Sequence, residues 1–256
     1  GGVSCAAVGA SGDGRWAVHE PGQLRALATA CGAMCDWVKA LGFAVDGGKD
    51  SLSMVSKVQR QQQEGEGDDA VPHAVRGPGT LVVSGYAHCP DIHRRVTPEF
   101  KRAGNPVYLV DLSDGTGGLG GSAWAQAVTH NAAMATEPVA DVADAGTVRA
   151  AFDLVQTALR HGWLRAGRDR SDGGLVVTLL EMLFAADHPM GVEATVPRVG
   201  GEDEDGATDA AAVGAIFHEG PGVVVEVEVA HEAAWVAAAA VASVPLHRLG
   251  TTTATG

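Results

Sequence analysis

The most informative stretch of this chain is Gly-Arg-Asp-Arg-Ser-Asp-Gly-Gly-Leu, residues 167–175. A helical apolar pattern follows it at once, with one face at Leu175, Val176, Leu179, Leu180, Leu183 and Phe184. Gly173 and Gly174 therefore stand at a junction between a loop and a helix. Such a junction leaves the first backbone N–H groups unpaired and presents the positive end of the helix dipole. The stretch predicts an anion site at this point.

Oxygen-bearing side chains in the same loop predict a cation beside that anion. Asp169 and Asp172 flank the hydroxyl of Ser171, and hard oxygen ligands of this kind suit Mg²⁺ held between protein and phosphate. The alternative is that Ser171 or Asp172 only caps the helix, with the glycines allowing a tight turn. Capping is much commoner than metal binding, so the pattern by itself favours the cap.

A second motif, Asp-Gly-Gly-Lys-Asp-Ser-Leu-Ser-Met at residues 46–54, follows a short predicted strand at 43–45. Lys49 can neutralise a phosphate, while Asp50, next to Ser51, can hold Mg²⁺ or orient an attacking group. The motif is not a Walker A loop, because the required upstream glycine is missing. A turn with exposed charges explains it equally well.

A third run, Gly-Gly-Leu-Gly-Gly-Ser at residues 117–122, lies between a predicted strand at 107–112 and a predicted helix at 122–129. It could seat a phosphate at the start of that helix. It lacks the G-x-G-x-x-G pattern, and close packing of a helix on a sheet explains the glycines equally well.

Composition excludes several classes of partner. The net charge of −13 argues against a surface for nucleic acid or an anionic membrane, although local N–H groups and Mg²⁺ still allow nucleotide binding. An apolar share of 46% with a mean hydropathy of +0.07 indicates a soluble globular protein. No apolar run is long enough to span a membrane, and no signal peptide opens the chain.

The four cysteines, Cys5, Cys31, Cys35 and Cys89, form no C-x-x-C pair and lack a nearby histidine at zinc spacing. We expect them to be reduced, which predicts a cytosolic (cytoplasmic) setting. The chain opens on Gly-Gly-Val without an initiator methionine. This opening indicates a piece of a longer chain or a processed product.

Hydrophobic periodicity predicts a mixture of helices and strands that do not strictly alternate, so the expected fold class is α+β in two layers with mixed sheets. Residues 98–106 hold two prolines and a glycine and mark a boundary, which predicts domains at 1–103 and 104–256. We expect the strand at 80–87 to be buried and to pair with a strand at 54–58. The predicted helices are residues 22–41, 122–129, 146–165 and 231–242; the other predicted strands are 107–112, 192–196, 222–229 and 244–249.

In order along the chain, these motifs resemble the family of phosphoribosylformylglycinamidine synthases, within the superfamily of aminoimidazole ribonucleotide (AIR) synthetases. The resemblance extends from Pro21 to Val229. The stretches that carry it are PGQLRALATACGAMCDWVKALGFAVDGGKDSLSM, PGTLVVSGYAHCPDIHRRVTPEFK, GLGGSAWAQ, RDRSDGGLVVTLLEMLFA and IFHEGPGVVVEV.

The resemblance implies an AIR synthetase-like fold and an ATP-dependent ligase of purine biosynthesis. The family converts formylglycinamide ribonucleotide, ATP and glutamine into the amidine, ADP, phosphate and glutamate. ATP phosphorylates the substrate amide oxygen, and ammonia then displaces the phosphate. Residues 1–103 resemble the end of an N-terminal-type subdomain, and residues 104–256 resemble a C-terminal-type subdomain.

Residue by residue, the resemblance makes Asp169 a ligand of Mg²⁺ and Ser171 a contact of the nucleotide. Lys49, Asp50 and Ser51 match a family signature and are expected to bind nucleotide as well. The family's other Mg²⁺ ligands, a Glu and an Asn four apart on a helix, are expected upstream of residue 1, and its glutaminase beyond residue 256. These missing segments of the same polypeptide are therefore the expected partners, and nucleotide binding by this chain alone should be weak.

Three functions stay open from the sequence. The chain is part of the amidine-forming ligase, or a non-catalytic scaffold that holds structural ADP and Mg²⁺ at the Asp169 loop, or a stand-alone relative of AIR synthetase. The absent Glu/Asn helix argues against the third function, since a complete relative needs a whole first subdomain.

Overall fold

The structure is a computed structural model that describes residues 9–58, 73–89, 91–129, 138–197 and 209–254. It divides into two compact units, Gly1–Pro90 and Asp91–Gly256. The boundary predicted after residue 103 lies within the second unit, whose core includes the fully buried Phe100. The polar segment 59–69 and residues 201–208 of the acidic insertion lie outside the described residues.

The first unit combines one long helix with two small sheets. Strand β1 runs parallel to β2 and antiparallel to β5 in a three-stranded sheet, and β3 pairs with β4. The helix predicted at 22–41 is confirmed, and it ends at Gly42, whose φ of 83° allows its N–H to reach the carbonyl of Val38 at 2.9 Å. The elements are β1 (Gly9–Arg15), α1 (Gln23–Leu41), β2 (Ala44–Ser51), β3 (Val55–Val58), β4 (His73–Arg76) and β5 (Thr80–Tyr86).

Two expectations for β5 are wrong. It pairs with β1, from Gly9 opposite Tyr86 to Arg15 opposite Thr80, and not with the strand at 55–58. Most of its residues are also exposed within this chain. The pairing was missed because β1 reads GASGDGR, a composition of Gly, Ser and Asp that is typical of turns.

The second unit is built on a five-stranded sheet in the order β7-β9-β6-β10-β8, with every neighbouring pair antiparallel. Together the two units confirm the α+β class. The elements are β6 (Pro106–Asp111), α2 (Ala123–Thr129), α3 (Ala145–His161), β7 (Leu164–Asp169), α4 (Gly174–Phe184), β8 (Gly191–Ala194), α5 (Asp209–Phe217), β9 (Gly222–Val227), α6 (Glu232–Val241) and β10 (Leu246–Thr253).

Helices cover both faces of this sheet because successive residues of a strand point to opposite sides. On β6, Tyr108 and Val110 join the cluster formed with α3 and α6, where Trp235 is fully buried. Val107 and Leu109 join the opposite cluster formed with α4. Each apolar side chain buried in this way stabilises the fold by about 1.5–3 kcal/mol, so the sheet is a rigid support for its loops.

The helix predicted at 146–165 is too long. Helix α3 ends at His161 because Gly162 takes the left-handed conformation, with φ 69°, and its N–H bonds to the carbonyls of Ala158 and Leu159. The chain then enters β7, in which the buried Leu164 and Ala166 flank the exposed Arg165. Asp169 consequently ends a strand instead of standing in a long loop.

Candidate functional site

The candidate site lies at one edge of the second sheet. Strands β6 and β7 both run antiparallel to β9, so their carboxyl ends and the start of β9 share this edge. Asp111 ends β6 opposite Gly222, and Asp169 ends β7 opposite Val223. Helices α2 and α4 follow β6 and β7, respectively. The edge therefore gathers the loops that the sequence singled out in this unit.

The side chain of Asp169 is available to a ligand. It is exposed, and within the described ranges its carboxylate has neither a hydrogen bond nor an ion pair; only its backbone carbonyl is engaged, by the hydroxyl of Thr178 at 3.5 Å. The cap of α4 is Gly173, with φ 83°, and no side chain caps it locally. The alternative that Ser171 or Asp172 merely caps this helix is therefore wrong.

A single carboxylate accepts backbone hydrogen bonds at the start of two helices, α2 and α4. One oxygen of Glu219 accepts the N–H of Gly173 at 2.7 Å and the N–H of Ala123 at 2.8 Å. The anion predicted at the Gly173–Gly174 junction is thus already supplied by the chain itself. Sequence reasoning missed Glu219, although the stretch IFHEGPG that contains it had been singled out for its resemblance.

The glycine run at 117–122 is explained by close packing. A Cβ at Gly118 would overlap the carbonyl oxygen of Pro138, and the N–H of Gly120 bonds to the same carbonyl at 2.8 Å. The hydroxyl of Ser122 accepts the N–H of Ala125 at 3.2 Å. With Glu219 on the first N–H of α2, these contacts occupy the place where the sequence allowed a phosphate.

A buried charge network holds the site loops to the sheet. The guanidinium of Arg170, with 1% of its side chain exposed, donates to a carboxylate oxygen of Asp111 at 2.7 Å. It also donates to the carbonyls of Gly220 and Pro221 and contacts Nε2 of His218 at 2.9 Å. Burial alone would raise the pKa of Asp111, but the charge of Arg170 and hydrogen bonds from Ser113 outweigh it, so that this pKa is lowered.

His218 is kept neutral in this network. Burial, followed by the nearby charge of Arg170, lowers its pKa to about 4 against the weaker opposing effect of Asp111 and Asp114. Because Arg170 donates to Nε2, we assign the proton to Nδ1. Nδ1 is itself buried without a hydrogen-bond partner among the described residues.

The depressed pKa of His218 predicts a pH-dependent stability. Below pH 6.5, the ordinary pKa of histidine, His218 is protonated in the unfolded chain but stays neutral in the folded chain. The free energy of unfolding therefore falls as the pH drops towards about 4. The loss reaches about 3 kcal/mol across this window. Urea unfolding at pH 7 and pH 4.5 should show a smaller loss for His218→Gln, which keeps an acceptor for Arg170. Equal losses for the two proteins would contradict the prediction.

The second predicted motif lies in the first unit and is a strand. Lys49, Asp50 and Ser51 end β2 opposite residues 13–15 of β1, so neither a loop nor a turn forms there. The ammonium of Lys49 donates to the hydroxyl of Ser51, and strand alternation places Asp50 on the other face. A Cβ at Gly14 would overlap the Asp50 carboxylate. The motif and the Asp169 loop belong to different units, and nucleotide binding by its three residues stays a prediction.

Metal binding by clustered side chains finds no support in the part of the chain that is described. No group of three or more His, Cys, Asp or Glu side chains there could hold an ion. Asp169 therefore offers one carboxylate and not a complete site. Across the same residues, no helix combines the length and apolar character needed to cross a membrane.

Comparison with known proteins places the chain in a family. The profile of the C-terminal domain of AIR synthase related proteins matches residues 102–256, and that of the FGAR-AT PurM_N-like domain matches residues 3–88. The chain belongs to the AIR synthase related proteins.

The relatives within that family are phosphoribosylformylglycinamidine synthases, which confirms the predicted resemblance. The Homo sapiens enzyme is 42% identical over 220 residues, which are 85% of this chain and 14% of that enzyme. The Drosophila melanogaster enzyme is 35% identical over 190 residues, which are 73% of this chain and 13% of that enzyme. The chain thus spans about one seventh of the length of these relatives.

Solved structures share the fold. The Thermotoga maritima PurL structure complexed with FGAR superposes with a TM-score of 0.63 and 13% identity, over 97% of this chain and 36% of that chain. Escherichia coli HypE, a hydrogenase maturation protein, superposes with a TM-score of 0.61 and 14% identity, over 98% of this chain and 69% of that chain. The same fold thus occurs in PurL and in HypE, so the site must carry the functional argument.

Proposed function

We propose that this chain is the part of a phosphoribosylformylglycinamidine synthase that helps to bind Mg²⁺ and nucleotide. The whole enzyme would be a carbon–nitrogen ligase that uses ATP and glutamine-derived ammonia to convert formylglycinamide ribonucleotide into its amidine. The observation that carries the proposal is the carboxylate of Asp169 at the sheet edge, which is exposed and has no partner among the described residues. It is supported by the 42% identity with the human enzyme and by PurL structures of this fold in complex with ATP and with FGAR.

The polar groups around Asp169 are of two kinds: some are held in place by hydrogen bonds, and others are available to a ligand. Glu219 accepts one backbone N–H at the start of each helix, and Arg170 ties the loop to Asp111 on β6 and to Pro221 just before β9. Asp169 and Ser171 then stay available, Asp169 for Mg²⁺ and Ser171 for the nucleotide. A bound Mg²⁺ would neutralise phosphate charge, and one protein carboxylate leaves most of its octahedral shell to water and phosphate. The remaining ligands and the ammonia source would come from other segments of the polypeptide, in the cytosol.

The second candidate function is a structural nucleotide site, with ADP and Mg²⁺ stabilising the enzyme. The burial of Arg170 directly beside Asp169 favours it, because a ligand on this loop would add to the stability of the sheet edge. The two functions differ in the intact enzyme. Removal of the Asp169 carboxylate would abolish turnover in the first case and lower only the melting temperature in the second.

Replacement of Asp169 by Asn tests the site on this chain. Calorimetric titration with ADP and ATP should show Mg²⁺-dependent binding that is about tenfold weaker or worse in the variant, because the amide removes the charge that attracts the ion. Asp153→Asn is the matched control, since Asp153 is exposed on α3 and outside this loop, and we expect the nucleotide affinity of this variant to equal that of the parent chain. Equal Mg²⁺-dependent affinities of the parent chain and Asp169→Asn would contradict the assignment.

A further inference from the structure

The opposite edge of the second sheet holds a strongly basic cavity. Its volume is about 750 Å³, and it lies where α3 ends, β7 begins and the chain approaches β6. Six permanently charged side chains line it: Arg94, Arg95, Lys101, Arg102, Arg160 and Arg165. We call this feature the basic cavity. Asp169 lies four residues along β7 from Arg165, the nearest lining residue on that strand, or about 13 Å, so the two sites are distinct.

The concentration of charge is unusual for this chain. The protein has 18 Lys and Arg residues and a net charge of −13, yet a third of those cations line one cavity. Only one carboxylate, Glu228, is among the described residues that line it. Like charges held together raise the free energy of the empty cavity and attract anions to it.

Nearby carboxylates neutralise only part of this charge. Glu228 pairs with Arg165 at 2.6 Å and less closely with Arg102 at 3.5 Å. Asp91 pairs with Arg94, and Glu99 with Lys101. Three carboxylates therefore face six cations.

Of the six cations that line the basic cavity, Arg95 and Arg160 are the two whose charge is least neutralised. Arg95 reaches only the carbonyl of Ile92, at 3.4 Å, and Arg160 only the hydroxyl of Thr157, at 2.9 Å. Neither has a carboxylate partner within the described ranges, and both residues are exposed. A planar guanidinium fork matches the oxygens of a phosphate and binds them in pairs.

Buried contacts hold the wall of the basic cavity in place. The carboxylate of Glu226, which is fully buried, accepts the backbone N–H groups of Lys101 at 2.7 Å and Arg102 at 3.1 Å. The side chain of Asn105 donates to the same carboxylate at 2.6 Å. The segment that carries Lys101 and Arg102 is therefore anchored in the core, which lowers the entropy that ligand binding has to overcome.

We propose that the basic cavity binds a phosphate-bearing small anion, either inorganic or attached to a ribose. The phosphate oxygens accept hydrogen bonds from Arg95 and Arg160, and the remaining cations supply the field. This site needs no metal and does not depend on the function proposed for Asp169. Its affinity falls steeply with salt, because exposed charges are screened over about 10 Å at 0.1 M.

The test is a calorimetric titration with inorganic diphosphate at low salt and with a chelator present. We expect binding by the parent chain and an affinity roughly tenfold lower or worse in the double variant Arg95→Gln/Arg160→Gln. Arg168→Gln is the control, because Arg168 lies on β7 outside the cavity and pairs with Glu181. Arg168→Gln should bind diphosphate as the parent chain does, and the chelator excludes Mg²⁺-dependent binding at Asp169.

Further probes separate the sources of the phosphate. Diphosphate and ADP of equal affinity support a site for phosphate alone, whereas tighter binding of ADP or ribose 5-phosphate supports a sugar phosphate. Failure of the folded parent chain to bind any of these probes would overturn the proposal, as would unchanged affinity in the double variant. Tighter binding of a polyglutamate peptide than of diphosphate would overturn it in favour of an acidic protein partner.

Discussion

Replacement of Arg170 by Met is expected to lower the free energy of unfolding of the second unit by about 3–5 kcal/mol. Methionine has a similar length and fills the same space, so the loss is electrostatic. The variant leaves the carboxylate of Asp111, whose side chain is 15% exposed, without its cation. It also removes the donors that satisfy the carbonyls of Gly220 and Pro221, and unmade buried hydrogen bonds cost about 1–3 kcal/mol each.

A control two residues earlier in the chain makes this prediction specific. Arg168 lies on β7 with 29% of its side chain exposed and pairs with Glu181. Because partly solvated ion pairs contribute about 0–1 kcal/mol, Arg168→Met should have little effect. Urea unfolding, followed by the fluorescence of the buried Trp235, measures both variants. A loss for Arg170→Met no larger than that of Arg168→Met would show that the network does not hold the site edge together.

The double variant Arg170→Met/Asp111→Leu should be more stable than Arg170→Met alone. It removes the stranded carboxylate together with its lost partner, and replacement of a buried ion pair by apolar residues is often neutral. The coupling free energy between the two positions then measures the pair itself.

Elements with a regular apolar period were predictable because the period is a local signal that can be read from consecutive residues. Helix α1 and strand β6 occupy almost the ranges expected from periodicity, 22–41 and 107–112. Strands β1 and β7 were not predicted, since GASGDGR and LRAGRD have few apolar residues. Their extended form is stabilised by pairing with β2, β5 and β9, and such partners leave no local signal in the sequence.

In the candidate site, too, residues with a local sequence signal were predictable and residues brought together by long-range contacts were not. Asp169 and Ser171 were predicted from a motif that is continuous in sequence. Glu219 accepts the backbone N–H groups of Gly173 and Ala123, which lie 46 and 96 positions away, and no local pattern reports such a contact. The cations of the basic cavity are dispersed between residues 94 and 165, where each one resembles an ordinary surface charge. The residue types could be read from the sequence, but the contacts between residues far apart in the chain could not.

Replacement of Gly174 by Ala is expected to lower the free energy of unfolding strongly. Gly174 has a φ of 70°, and a Cβ there would lie 2.6 Å from the carbonyl carbon of Phe217 and 2.7 Å from the carbonyl oxygen of Ile216. The left-handed conformation costs an alanine about 1–2 kcal/mol. Overlap with backbone cannot be relieved by a side-chain rotation, so the end of α5 has to shift. We expect a total loss of about 3 kcal/mol or more in the free energy of unfolding.

Gly115→Ala separates the two contributions, because Gly115 has a φ of 77° but nothing within 4 Å of its Cβ position. Its loss should equal the conformational cost alone, about 1–2 kcal/mol. Trp124 stacks on Phe217 with ring centroids 6.2 Å apart, so its fluorescence should change in Gly174→Ala and not in Gly115→Ala. Equal losses and unchanged fluorescence would mean that α4 and α5 do not approach so closely.

A shift of Phe217 would also draw Glu219 away from the N–H of Gly173. The affinity for Mg²⁺-nucleotide at Asp169 should then fall in Gly174→Ala, while Gly115→Ala retains it.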